Sequence, residues 1–289
     1  MKRNLIITAD DYGMCQSVNE GIDACLESGA VRATCVMVNM PGCEAAATLR
    51  HRFPQCSVGV HWNLSQGRPV LSPTFLPTLV NSSGEFHKIE EFRSRWLLGR
   101  IRKEEIRSEL LAQHDRLVQM AGPPAFWNTH ENVHVLPGLF QHCVSIGRQL
   151  GIRAMRCHRR ITIPRAMSGA SYHMSHPLYW LKGGIIAGWS RTAERRRVQM
   201  PDGRIYTPGY RTPSILALED VVEQIPWPRI RRAVEVVVHP ANRVDKGLFG
   251  SLTESRVREY EVLRDANLAD RLRRKGIFPA GFEAVLISN

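Results

Sequence analysis

The sequence predicts an α/β protein with a deformed or incomplete (β/α) TIM-like barrel, as a single domain over residues 1–289. Short apolar segments rich in β-branched residues alternate with helical segments along the chain, the pattern of a parallel sheet covered by helices. The 289 residues, 43% of them hydrophobic, suffice for one large core. No Gly-rich phosphate loop follows the first strand, which disfavours the common nucleotide-binding sheets.

The first part of the chain establishes the alternation of strands and helices. Residues 4–8 form a continuous apolar run of the kind that is buried on both faces in a parallel sheet. The next segment has apolar residues at helical spacing and ends at Gly29. The predicted elements are strand 4–8, helix 17–30, strand 32–40, helix 43–53 and strand 56–64.

The later elements repeat this order with one unclear stretch. An amphipathic helix ends at Gly122, and the run AVEVVVHP is a late buried strand. Residues 157–232 give the weakest pattern and look like an insertion. The predicted elements are helix 103–122, a strand and its loop at 125–138, helix 139–151, strand 152–156, strand 233–240, helix 255–276 and strand 277–282.

Composition narrows the classes of protein. The formal net charge of +12 favours phosphorylated or anionic partners, or reflects a generally basic surface. No nucleic-acid recognition motif accompanies it, so we expect no nucleic-acid partner. Seven cysteines without a CxxC pair are typical of reduced thiols. The apolar runs are too short for a spanning helix or a signal peptide. We therefore expect a cytoplasmic protein, in solution or peripheral on the inner face of the membrane.

Acidic and imidazole side chains lie where several predicted strands end. In a barrel of parallel strands these ends meet on one face, and a hydrolytic metal needs two or three such ligands with a carboxylate nearby. An Asp pair after a strand is also a common helix cap, but convergence from several strands indicates a metal site. The residues alone leave open which aspartate binds metal. The side chains are Asp10, Asp11, His61, His130, His134 and His239.

Five short segments keep a recognisable order over nearly the whole chain: ADDYG, GVHWNLSQGRP, NTHENVH, VHPA and REYEVL. They resemble the ADDFG, GxHxxLxxGxP, DSHxHxH, HP and REYExL segments of the YdjC-like carbohydrate deacetylases, which include chitooligosaccharide deacetylases and hopanoid-associated relatives. The resemblance implies a deformed (β/α) barrel that removes an N-acetyl group from an amino sugar. It also implies a divalent metal ion, Mg²⁺ or Zn²⁺.

Position within these segments implies roles for individual residues. Asp11, His61 and His130 match the metal ligands of the family. Asp10 matches its general base, and His239 fits a general acid that protonates the departing amine. Such an acid and base suit amide hydrolysis, because the metal acidifies a water while the amine is a poor leaving group. The expected substrate contacts are His134, Arg153, Arg156 and Asn63, of which His134 could be structural and the two arginines ordinary surface charges.

The chain departs from the DSHxHxH segment of the family at three positions. Asn128 stands where the family has Asp, Thr129 stands for Ser, and Asn132 replaces the middle His of HxHxH. A carboxylate beside a ligand imidazole fixes its tautomer and basicity, so Asn128 predicts an altered, active site. A metal- or sugar-binding barrel without catalysis is the alternative.

The segment 176–198 combines tryptophans with the basic cluster Arg195–Arg197. This pattern is typical of a membrane-surface segment or of an ordinary packed helix with a basic end. Because some family members act on an undecaprenyl-phosphate N-acetylhexosamine in lipid A modification, the resemblance and the charge favour a lipid-linked amino sugar and an anionic membrane surface. Soluble chitooligosaccharides are the alternative substrates, and a homodimer is among the expected assemblies.

Overall fold

A sheet of seven parallel strands forms the centre of the protein. The computed structural model describes residues 2–161, 177–206, 218–245, 247 and 253–286. The strands are β1 (Arg3–Tyr12), β2 (Ala33–Val36), β3 (Ser57–Trp62), β4 (Trp127–Thr129), β5 (Gly203–Tyr206), β6 (Val234–Val238) and β7 (Ile277–Pro279). They lie in the order β4-β3-β2-β1-β6-β5, and β7 pairs with the beginning of β1.

Helices surround this sheet. Among the described residues, two of them lie between β3 and β4 and another two between β4 and β5. No helix in the described ranges has both the length and the apolar character needed to cross a membrane. The helices are α1 (Gln16–Glu27), α2 (Leu49–Arg52), α3 (Ile89–Leu97), α4 (Lys103–Ala121), α5 (Leu139–Gln149), α6 (Pro177–Arg195), α7 (Leu218–Glu223), α8 (Glu254–Leu263), α9 (Leu268–Arg274) and α10 (Glu283–Leu286).

Single parallel bridges connect the two ends of the sheet. Met155 pairs with Trp127 of β4, and Arg160, five residues later, pairs with Arg204 of β5. The strands therefore curl into a deformed barrel, which confirms the predicted fold. The predicted strand at 152–156 is confirmed in part. Met155 pairs in parallel with Trp127 on one side and Ala154 with Gln199 on the other, but as single bridges and not as a continuous ladder.

Other boundaries also differ from the predictions. The first strand extends to Tyr12 and so contains both aspartates of the ADDYG segment. The predicted helix 255–276 is two helices, separated by a turn in which the Asp265 side chain accepts a hydrogen bond from the Asn267 backbone N–H at 2.9 Å. The predicted helix 43–53 begins as a 3₁₀ helix. Helix α3 and strand β5 were not predicted.

Alternate residues of β1 face two different environments. Leu5 and Ile7 belong to the large core between sheet and helices. Ile6 belongs to a separate apolar cluster with Phe126 and Phe282, whose rings stack with centroids 3.7 Å apart. Because successive strand residues point to opposite faces, this second cluster fills the amino-terminal end of the barrel interior.

Closer to the carboxyl ends of the strands, the barrel interior is filled by polar side chains. Thr8 donates its hydroxyl to Glu235 of β6 at 2.9 Å, and Arg156 donates to the same Glu235 oxygen at 2.9 Å. All three side chains are buried. Asp10 follows two residues after Thr8 on the same face, at the carboxyl end of the barrel, where active sites of this architecture lie.

Gly21 permits a close approach that positions one catalytic candidate. A Cβ at Gly21 would lie 2.8 Å from Ala241 Cα and 2.9 Å from Asn242 N, in the loop that follows His239. We expect Gly21→Ala to cost about 1–3 kcal/mol of unfolding free energy and to lower activity through the displaced loop, as measured by urea unfolding and acetate release.

A matched substitution separates this contact from a general effect of alanine in a helix. Gly184 lies in α6, where a Cβ would meet open space with no described neighbour within 4 Å. Gly184→Ala is therefore expected to leave stability unchanged or raise it by about 0.5–1 kcal/mol. Equal stability of the Gly21→Ala protein and the wild type would contradict the close contact at Gly21.

Candidate metal centre and catalytic site

Asp10 and Asp11 lie inside β1 and reach the same end of the barrel. Consecutive strand residues normally face opposite sides. Here the pairing with β2 is irregular between Ala9 and Tyr12, and Asp11 has a φ of +73°. Asp tolerates this left-handed conformation better than most residues. The irregularity brings both carboxylates to one site, which explains the adjacent acidic pair.

Asp11, His61 and His130 converge on one small volume. Asp11 Oδ1 lies 3.2 Å from His61 Nε2 and 3.1 Å from His130 Nδ1. Ligand atoms that bind one ion at about 2.0–2.2 Å lie about 3.0–3.5 Å apart. His61 Nε2 is buried and has no hydrogen-bond partner among the described residues. These residues fit a divalent metal ion, and the His130 side chain, 13% exposed, lies nearest to solvent.

The second oxygen of Asp11 is held from α8. Arg256 Nη2 lies 2.5 Å from Asp11 Oδ2. Burial acts to raise the pKa of Asp11, but Arg256 and then His130 outweigh it, and the pKa falls well below the usual range. One turn later, Glu259 accepts the backbone N–H of His239 at 2.5 Å. Helix α8 therefore orients one metal-ligand candidate and one acid candidate.

Asp10 is held by a two-pronged ion pair. Arg156 donates to its two carboxylate oxygens at 2.5 and 2.7 Å, and the Cys35 thiol donates at 3.2 Å. Burial acts to raise the pKa of Asp10, but Arg156 outweighs it and holds the pKa well below its usual range. Asp10 is thus ionised at neutral pH. Arg156 was expected to contact substrate, and this expectation is corrected. The residue is buried, and its guanidinium pairs with Asp10 and Glu235 instead.

A second group of potential ligands, Asp10, Cys35 and His61, is a weaker metal site. Both Asp10 oxygens already bind Arg156. Burial raises the pKa of the Cys35 thiol well above its ordinary value, whereas metals bind the thiolate. The Asp11 group is therefore the better metal-binding candidate.

His239 lies next to Asp10 at the end of β6. Its Nε2 is 3.7 Å from Asp10 Oδ2, and its side chain is 18% exposed. Burial lowers the pKa of His239 to about 4, against the opposing effect of Asp11 and Asp10. The imidazole is therefore neutral at pH 7, and it must receive a proton before it can donate one.

Asn63 and His134 have internal partners. The Asn63 side chain accepts the Ser65 backbone N–H at 3.1 Å and donates to the Gln66 carbonyl at 2.7 Å, which shapes the loop after β3. His134 is fully buried, and its Nε2 lies 2.7 Å from His158 Nε2. Both side chains were expected to contact substrate. Because they are buried and hydrogen-bonded to other residues of the fold, this expectation is corrected.

Arg153 lies away from the site. It is exposed, and its neighbours show which face of the segment it occupies. Ala154 belongs to the inner apolar cluster with Ile6, and Arg156 binds Asp10, so alternation places Arg153 on the outer face of the barrel. The position on the outer face does not support the expected substrate contact of Arg153.

Comparison with known proteins places these residues in a family. The family model described as "YdjC-like protein" matches residues 4–274. The chain belongs to the YdjC-like family. This confirms the resemblance seen in the sequence motifs.

Curated relatives of this YdjC-like chain are named as deacetylases. A carbohydrate deacetylase of Geobacillus stearothermophilus is 35% identical over 166 residues, which cover 57% of this chain and 64% of that protein. A carbohydrate deacetylase of Danio rerio is 31% identical over 61% of this chain and 55% of that protein. A chitooligosaccharide deacetylase of Yersinia pestis is 33% identical over 52% and 57%, respectively. The matches thus span less than two thirds of these relatives.

A solved structure supports the YdjC-like fold. A protein from Enterococcus faecalis, named for cellobiose-phosphate cleavage, superposes with a TM-score of 0.75 at 22% identity. The alignment covers 98% of this chain and 99% of that one. At this identity the similarity establishes the fold.

In this YdjC-like site, the Asn128 side chain must hydrogen-bond to two different neighbours, His61 and Arg156. Its side-chain amide touches His61 Nδ1 at 2.5 Å and also faces the Arg156 guanidinium. In the amide orientation that satisfies both, the nitrogen donates to His61 Nδ1 and the oxygen accepts from Arg156 at 2.9 and 3.0 Å. A neutral His61 then carries its proton on Nε2, the atom that faces Asp11, where a metal needs a lone pair.

Asn128→Asp should therefore strengthen metal binding. A carboxylate can accept from His61 Nδ1 and from Arg156 at once, which frees Nε2. We expect the dissociation constant for Zn²⁺ to fall by about 10–100-fold, as measured by competition with a chelator. Asn132→Asp adds the same charge on the neighbouring loop without touching His61 and is the control. Equal gains in the two variants would reject the tautomer assigned to His61.

The depressed carboxylate pKa values predict acid lability of the metal-free protein. Asp10 and Asp11 have folded-state pKa values below the unfolded value of about 3.9. Their stabilisation is present above that value and is lost as the pH falls below it. We expect a lower urea midpoint at pH 3.5 than at pH 6, and a smaller drop in Asp10→Asn. An identical drop in the variant would contradict the assignment for Asp10.

Proposed function

We propose that the protein is a metal-dependent hydrolase that removes the N-acetyl group from an amino sugar. The observation that carries this proposal is the ligand set of Asp11, His61 and His130 beside an ionised Asp10 and a nearby His239. Binding alone requires neither a base nor an acid, so this arrangement favours catalysis over a non-catalytic sugar-binding barrel. The family membership and the names of the relatives support the same reaction.

The side chains supply the proton transfers that amide hydrolysis needs. A divalent metal held by Asp11, His61 and His130 would polarise the acetyl carbonyl and acidify a water. Asp10, kept ionised and oriented by Arg156, accepts a proton from the attacking water. His239 donates a proton to the amide nitrogen as the C–N bond breaks, which releases acetate and the free amine. This assignment makes Asp11 the ligand and Asp10 the base.

His239 is suited to relaying the proton. Because its imidazole is neutral at pH 7, it has to be charged within the catalytic cycle. Asp10 Oδ2, 3.7 Å from His239 Nε2, is in position to pass on the proton taken from water. Asp10 and His239 would then both return to their starting protonation states after each turnover, because the proton taken from water ends on the amine.

Two substrate classes are compatible with this chemistry. Relatives named chitooligosaccharide deacetylase support soluble N-acetylglucosamine oligomers. The net charge of +12 favours a phosphate-bearing, lipid-linked N-acetylhexosamine of envelope glycan or lipid A modification, with the enzyme peripheral on the inner membrane face. The aromatic and basic segment predicted to support the second class lies partly outside the described residues. A homodimer stays a prediction.

Acetate release tests the proposal and separates the two classes. Purified protein loaded with Zn²⁺ or Mg²⁺ is incubated with N,N′-diacetylchitobiose and, separately, with undecaprenyl-phosphate N-acetylhexosamine in detergent. Release from either supports the deacetylase, and preference between them assigns the class. Metal binding without acetate from any acetylated sugar would instead support a binding barrel.

A further inference from the structure

The end of α3 presents two leucines to solvent within a basic segment. Leu97 is 64% exposed and Leu98 is 61% exposed. Residues 93–103, here called the leucine tip, contain five basic side chains and no acidic one. Trp96 is half-buried beside them. Adjacent large apolar side chains so exposed are unusual in a surface of this charge.

Several charges of the leucine tip are available to a partner. Arg95 is engaged by Glu91 at 2.8 Å. Arg93, Arg100 and Lys103 are exposed and form no ion pair with any described residue. Leucines surrounded by unpaired basic side chains match the boundary between acyl chains and anionic headgroups, where apolar groups insert and cations meet phosphates.

The leucine tip is attached to the loop that carries a metal-ligand candidate. Trp96 donates its indole N–H to the Pro137 carbonyl at 2.9 Å. Pro137 follows the 3₁₀ helix His130–Val135, which begins at the metal-ligand candidate His130 and packs against α3. The leucine tip is therefore connected, through Pro137, to the segment that begins at the site's most exposed ligand candidate.

We propose that the leucine tip docks the protein onto an anionic lipid surface. A second copy is disfavoured, because a symmetric interface would place the same five basic residues against each other. A protein partner is disfavoured because the exposed large apolar side chains of the tip are two leucines, whereas stable interfaces bury about 800 Å² on each side. Docking to lipid does not depend on the proposed function. Only the conclusion that docking brings the site to a lipid-linked substrate rests on it.

Vesicle binding tests the proposal without requiring catalysis. The full chain is sedimented with vesicles of phosphatidylcholine, with or without about one third phosphatidylglycerol, near physiological salt. We expect binding to the anionic vesicles alone. The double variant Leu97→Ser/Leu98→Ser is expected to bind at least about tenfold more weakly, and Arg93→Gln/Arg100→Gln to lose most of the salt-sensitive binding.

Control variants and readouts assign each outcome. Ile185→Ser, at the 43% exposed Ile185 of α6, removes an apolar side chain from the other candidate segment and should bind like wild type. Acetate release from soluble chitobiose should be unchanged in the leucine variant, which verifies its fold. Three results would each overturn the proposal: no binding by wild type, full binding by the leucine variant, or a dimer or acidic-protein complex that the leucine substitutions dissolve. If no sugar is deacetylated, circular dichroism verifies the fold and the vesicle result stands by itself.

Discussion

Asp10→Asn is expected to lower kcat for acetate release by about 10²–10⁴-fold while the metal stays bound. Asn keeps the shape of the side chain but cannot accept the proton of the attacking water. The metal-ligand candidates Asp11, His61 and His130 are untouched. The measurement is kcat with saturating metal, together with metal content by mass spectrometry of the purified variant.

The Asp10 substitution also weakens an ion pair, and this effect needs its own control. Arg156 keeps Glu235 at 2.9 Å but loses a charged partner, so the unfolding free energy should fall by about 1.5–3 kcal/mol. Glu235→Gln weakens the same guanidinium's anchoring and leaves the base in place. We expect Glu235→Gln to lose stability with a much smaller loss of kcat. Wild-type kcat in Asp10→Asn would contradict its role as base.

His61→Gln and His130→Gln are each expected to abolish metal retention and activity. Two remaining ligands bind a divalent ion far more weakly than three, and Gln does not reproduce the imidazole nitrogen. The readouts are metal content after dialysis and the rise in melting temperature on adding Zn²⁺, which measures binding to the folded state without catalysis.

A histidine outside the site provides the matched control. His142 lies on α5, where its Nε2 contacts the Lys103 carbonyl at 3.0 Å, and His142→Gln should keep both the metal and the melting-temperature rise. If His61→Gln or His130→Gln bound metal as tightly as the His142 variant, the proposed ligand set would be incorrect.

The sequence predicted the barrel because its local signals agree with the global fold. Buried parallel strands are continuous apolar runs, and β1 has this pattern over residues 5–7 and β6 over residues 236–238. The segment at 152–156 pairs on both sides, through Met155 with Trp127 and Ala154 with Gln199, but the pairing ends after one bridge on each side. The length of such a strand depends on its neighbours, which a local pattern does not encode.

The candidate site was predicted in part. Motif position indicated the residues that converge at the carboxyl end of the barrel. The irregularity at Asp11, with its φ of +73°, has no sequence signal beyond the adjacent Asp itself. It decides how both carboxylates reach one site.

The charged residues that support the site were harder to predict. Arg156 was expected at substrate, but it is the buried partner of Asp10. Arg256 and Glu235 were missed because their partners are more than 200 residues away or on other strands. A charged residue in the middle of the apolar run VEVVV, as Glu235 is, was the one available signal, since burial of an isolated carboxylate requires a partner.

Stoichiometric acetate release by the metal-reconstituted protein tests the central claim most directly. Protein stripped with a chelator and reloaded with one divalent ion at a time is incubated with acetylated amino sugars, and acetate and free amine are both quantified. We predict equal amounts of the two products from reloaded wild type and none from stripped protein or from Asp10→Asn. Equal activity of stripped and reloaded protein, or no acetate from any acetylated amino sugar with metal bound, would contradict the proposed metal-dependent deacetylation.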